Sequence, residues 1–136
     1  MIQNNDKEDG PILEDMYGKP IKNVAGRYQA KYQKQKAKMT KEEFENAMNY
    51  ICSLVQSNSS EEFFNPGWAA GSDWTDTPLQ PIYEKACDSV FQEASFMYGL
   101  MVKEAFMDWI DEEWIQIKQE QQGRDFEQNL YMKKKK

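Results

Sequence analysis

The strongest constraint on this chain's fold is one apolar stripe. Phe44, Ala47, Met48, Ile51, Leu54 and Val55 recur at spacings of three and four, which places them on one side of an α-helix. Immediately before them stands Thr40-Lys41-Glu42-Glu43. This is a capping-box pattern, in which a Thr hydroxyl and a Glu carboxylate three residues on each take an orphaned backbone N–H. A helix over 41–56 is therefore predicted, ending at Ser57-Asn58-Ser59-Ser60. Its stripe needs a second apolar surface to cover it.

That surface is predicted downstream. From Ile82 to Glu113 the sequence reads as one long helix with Tyr83, Ala86, Cys87, Val90, Ala94, Met97, Met101 and Ala105 on its inner side. Between Phe96 and Ile110 nearly every face is apolar, as in a helix central to a core or covered by another copy. A homodimer is one way to cover it. A thinner helix is predicted over 24–38, with only Val24, Ala25, Tyr28 and Tyr32 to dock it. The connection 57–81 holds Phe63, Phe64, Trp68 and Trp74 between prolines and glycines, so it should pack on the body as an ordered loop. After Trp114 two readings stay open: more helix, or a short hairpin across Gln122-Gly123-Arg124-Asp125. The alternation of Ile115/Ile117 and Phe126/Leu130 favours the hairpin.

The fold class expected is thus mainly α. It is a small single-domain helical fold with a long central helix, a packed aromatic loop and a short C-terminal β-hairpin. With 136 residues and 40% hydrophobic content, one core is affordable and two are not. The domain is expected over 21–132, preceded by a flexible lead-in over 1–20 and followed by a basic tail over 133–136. No apolar run is long enough for a membrane helix, and the N-terminus lacks the basic and apolar regions of a secretory leader. Cys52 and Cys87 sit at apolar helical positions and read as free thiols in a reducing, cytoplasmic setting.

Charge is distributed unevenly. Residues 18–41 carry eight basic side chains and no acid, whereas 42–127 carry eighteen carboxylates against four basic residues. The chain ends in four lysines, and the net charge is −6. Segregated charge suits a macromolecular binding surface better than a small-molecule site. The chain has no histidine, so Ser-His-Asp and Cys-His mechanisms are excluded within it. Phosphate-loop and dinucleotide motifs are absent too, no cofactor is called for, and no metal site is expected.

Two surfaces emerge as candidates. On the long helix Glu104, Asp108, Asp111, Glu112 and Glu113, with Trp114 beside them, could face a basic partner, Trp serving as an interface anchor. On the basic helix Arg27, Lys31, Lys34 and Lys38 share one face, with Tyr28 and Tyr32 on an adjacent one. Cations suit phosphates and tyrosines suit unpaired bases. That helix could equally lie against the acidic body. In the loop, Asp73 and Asp76 could serve acid–base chemistry, but an Asx-turn and a helix cap explain them better. The expected function is a non-enzymatic protein-interaction module, an inhibitor or adaptor of the sort phages and mobile elements encode. Its acidic face would meet a nucleic-acid-handling protein. The alternative is a nucleic-acid-binding module using helix 27–38 and the lysine tail.

Overall fold

The structure, a computed structural model, describes residues 13–57, 63–71, 73–120 and 127–134. Mainly helical content holds, joined to a small mixed sheet. Helix α1 (Gln29–Ala37) follows a single 3-10 turn at Gly26–Tyr28, and α2 spans Lys41–Ser57. A short α3 (Pro66–Ala70) leads to α4 (Phe91–Glu104). The strands are β1 (Leu13–Asp15), β2 (Phe63–Phe64), β3 (Trp114–Glu120) and β4 (Glu127–Lys133), in the order β1-β3-β4-β2. β1 runs parallel to β3, and the other pairs are antiparallel.

Helix α2 forms where its stripe requires it. The Thr40 hydroxyl accepts the Glu43 N–H at 3.0 Å, and the Glu43 carboxylate accepts the Thr40 N–H at 2.9 Å. Ala47, Met48, Ile51 and Val55 are buried. Against them pack Ala94, Met97, Met101 and Val102 of α4, also buried. Met97 and Met101 are therefore covered within one chain, while Phe96 of the same segment stays partly exposed.

The expected continuous helix over 82–113 is not continuous. A π-helical turn at Ile82–Ala86, capped by Cys87, is followed by Asp88 and Ser89, both at positive φ (52° and 61°). The Val90 N–H donates to the Cys87 carbonyl across them at 2.9 Å, as in a primed β-turn. Short polar side chains tolerate the left-handed region better than most, so Asp-Ser could break a run whose apolar spacing continues through it. A second π-helical turn, Ala105–Trp109, ends α4, and Ile110 is extended. Trp114 then begins a strand and not a helical end.

β3 and β4 pair from Trp114↔Lys133 to Glu120↔Glu127. They form the centre of the sheet and not a free-standing hairpin. The expected turn at 122–125, and Phe126, lie outside the described residues. Leu13, Trp114, Tyr131 and Phe64 are buried on one face of the sheet. Phe106 fills the space beneath it, stacked on Tyr131 with ring centroids 4.2 Å apart and tilted against Trp114 at 4.9 Å.

Both ends of the chain depart from the expected domain limits. Residues 13–20, assigned to the lead-in, form β1 and a locked return: the Asp15 carboxylate accepts the N–H groups of Tyr17 and Lys19 at 2.8 and 3.0 Å. Gly18, at φ 81°, closes this turn. Residues 1–12 lie outside the described residues, as do Lys135 and Lys136. Lys133 ends β4 rather than opening a tail. The loop 57–81 packs as expected at Trp74, which is buried against Phe91 and Tyr98. The side chain of Trp68 lies outside the described residues.

Candidate interaction surfaces

Helix α1 lies against α4, and its cations face acids across the contact. Lys31 meets Glu93 at 2.6 Å, Lys36 meets Glu104 at 3.4 Å and Lys38 meets Asp88 at 2.9 Å. The central contact is buried. The Tyr32 hydroxyl donates to the Glu104 carboxylate at 2.8 Å, and the Lys36 ammonium lies over the rings of Tyr32 and Phe44. Burial, with the Glu104 charge behind it, raises the Tyr32 phenol above its ordinary range, so it stays a donor. Glu104 and Tyr32 are accordingly inside the protein, 6% and 1% exposed. Neither can serve the surface to which the sequence assigns it.

The acidic surface is thereby redrawn. Trp114, expected as an exposed anchor, is 1% exposed and packs on Phe106. Asp108 is half-buried within the π-helical turn, its charge felt at Tyr32. Only Asp111, Glu112 and Glu113 stand in solvent. Two of them have basic neighbours: Lys133 lies 2.8 Å from Glu112, and Lys134 lies 3.9 Å from Glu113 and 3.0 Å from Glu14. The structure thus brings three of the six assigned residues together as an exposed corner between buried Ile110 and buried Trp114.

On the basic surface Arg27, Tyr28, Lys31, Lys34 and Lys38 remain outward. The Arg27 guanidinium lies 4.9 Å from the Tyr28 ring centroid and donates to its hydroxyl at 2.8 Å. Tyr28 in turn meets Phe96 of α4 edge-on, centroids 4.8 Å apart. Phe96, which the apolar run over 96–110 assigns to a core or to a contact with another copy, is 37% exposed on this chain. A signal existed: the buried ladder Ala94, Met97, Tyr98, Met101, Val102 and Ala105 excludes it by helical phase.

The loop acids have structural work. Asp73 accepts the Thr75 N–H at 3.1 Å, and hydrogen bonding from the Thr75 side chain, with that backbone bond second, holds its carboxyl below the usual range. Asp76 sits at φ 63° with its N–H on the Gln80 side chain. The Thr77 hydroxyl accepts the Leu79 N–H at 3.1 Å. Cys87 is buried beside Met97 and Gln35, and burial pushes its thiol up to about 11, so it is a poor nucleophile. Cys52 is half-buried, and both thiols are free. Among the described residues no group of three His, Cys, Asp or Glu is placed to hold a metal ion, and no helix is long and apolar enough to cross a membrane. No protein-family model, no curated protein and no solved structure matches the chain.

Proposed function

We propose that the protein is a non-enzymatic interaction module, an inhibitor or adaptor of the class phages and mobile elements encode. It meets a basic, nucleic-acid-handling protein through its acidic corner. The observation that supports this reading is the pinned presentation of Asp111, Glu112 and Glu113. Three consecutive exposed carboxylates stand between Ile110 and Trp114, both buried. A charged segment fixed at both ends loses little freedom on binding, and complementary charge speeds encounter with a basic site. Glu104 and Trp114 then support the corner from within and make no partner contact.

The test is displacement of a labelled DNA duplex from purified DNA-binding proteins, read by fluorescence anisotropy. Reversal of Asp111, Glu112 and Glu113 to Lys should abolish displacement while the circular dichroism spectrum is unchanged. Displacement that survives the reversal would overturn the reading. The alternative, a nucleic-acid-binding module on helix 27–38, loses Tyr32 to the interior, and three of its lysines have acidic neighbours. Arg27, Tyr28 and Lys34 still favour it in a narrower form.

A further inference from the structure

The seam between α1 and α4 presents a surface that neither helix makes alone. Tyr28 and Phe96 are each 37% exposed and meet at nearly perpendicular planes, 77° apart. Cations border both rings: Arg27 beside Tyr28, and Lys31 with its ammonium 5.2 Å from the Phe96 centroid. Lys34 is exposed one turn beyond Lys31. Gly99 lies one turn beyond Phe96, with open space where a side chain would stand. The Lys31–Glu93 pair is 43% and 41% exposed. Such a pair contributes little, and the part-exposed Lys31 ammonium stays open to a further anion.

We propose that this seam binds single-stranded nucleic acid, with Tyr28 and Phe96 receiving bases and Arg27, Lys31 and Lys34 receiving phosphates. Charge complementarity argues for a polyanion, since among the described residues the ion pairs of this seam take up Lys31, Lys36 and Lys38 and leave Arg27 and Lys34 without an acidic partner. The aromatic pair selects among polyanions. Unpaired bases offer flat faces to such side chains, whereas bases inside a duplex do not. An acidic peptide would use the cations and leave Tyr28 and Phe96 without a role. The site is separate from the acidic corner, so the two stand or fall independently.

The experiment is anisotropy of a labelled oligothymidine of about 20 nucleotides, and of a duplex of equal length, at about 50 and 200 mM salt. Binding is expected for the single strand and weaker for the duplex, and it should fall at the higher salt. Phe96→Ala should weaken it about tenfold with the salt dependence unchanged. Lys34→Gln should lower the logarithmic salt slope by about 0.7. Reversal of Asp111, Glu112 and Glu113 should leave strand binding no weaker. No single-strand binding at the lower salt overturns the proposal, as does wild-type affinity in Phe96→Ala. Polyglutamate displacing the strand as well as unlabelled oligothymidine also overturns it, assigning the seam to acidic proteins.

Discussion

Helices α1 and α2 are neighbours in sequence, separated only by Lys38, Met39 and Thr40, yet different forces hold them. α2 buries Ala47, Met48, Ile51 and Val55, each at most 2% exposed. α1 buries only Tyr32 and Gln35 within its nine residues, and its other ties to the body include ion pairs with Glu93 and Glu104, with Lys38 at its C-terminal cap adding one to Asp88. A fully buried large apolar side chain contributes about 1.5–3 kcal/mol, whereas an exposed ion pair contributes about 0–1 kcal/mol. α2 is therefore part of what makes the protein fold, and α1 is attached to the result. Weakly attached elements open first, so α1 is expected to open before α2.

The largest expected effect lies in α2. Ile51→Ala removes a fully buried side chain from the α2–α4 contact and should cost about 2–5 kcal/mol. Urea unfolding measures it. A loss under about 1 kcal/mol would mean the stripe is not part of a packed core, and the contrast between the helices would collapse.

A smaller and local effect is expected in α1. Tyr32→Phe keeps the buried ring but removes the hydroxyl that Glu104 accepts at 2.8 Å. Glu104 then keeps Lys36 at 3.4 Å, and the loss of the hydroxyl costs about 1–3 kcal/mol. Hydrogen exchange should accelerate over Gln29–Ala37 and stay unchanged over Lys41–Ser57. Equal acceleration in both helices would show that they open together and would break the comparison.

The same contrast explains what the sequence made legible. α2 could be read because its determinants are local: an apolar stripe at helical spacing and a box four residues long. The acidic end of α4 could not, because the role of Glu104 depends on Tyr32, seventy-two positions away. Spacing alone puts Glu104 and Asp108 on one stripe, but it does not show that α1 covers that stripe. Trp114 was misplaced for a related reason: its burial follows from Phe106 and from pairing of β3 with Leu13, at the far end of the chain. The break at Asp88-Ser89 escaped because apolar spacing runs through it, while the signal resides in two small polar residues at positive φ. Of the exposed acids, Asp111, Glu112 and Glu113 were legible because nothing distant covers them.

The N-terminus of α2 gives the smallest effect and the sharpest one, since two contacts of one side chain separate by pH. Glu43 is hydrogen-bonded to the Lys85 ammonium and also accepts the Thr40 N–H. These contacts, Lys85 foremost, hold its carboxyl below the ordinary 4.5. A carboxyl lowered in the folded state stabilises that state above its unfolded value and loses the contribution as pH falls through the folded one. Wild-type stability should therefore decline as the pH drops below about 4.5 relative to Glu43→Gln, which has no proton to take up. Thr40→Ala removes the hydroxyl that accepts the Glu43 N–H and should cost about 1 kcal/mol at neutral pH. It leaves both Lys85 and the position-40 N–H in place and removes only the smallest of the contacts that lower the Glu43 carboxyl, so most of the acid decline should remain. Urea midpoints of the three proteins at neutral and acid pH decide the matter. If Thr40→Ala lost its acid sensitivity along with its cap, the two halves of the box would act as one unit, and the lowered carboxyl would owe its state to Thr40 and not to Lys85.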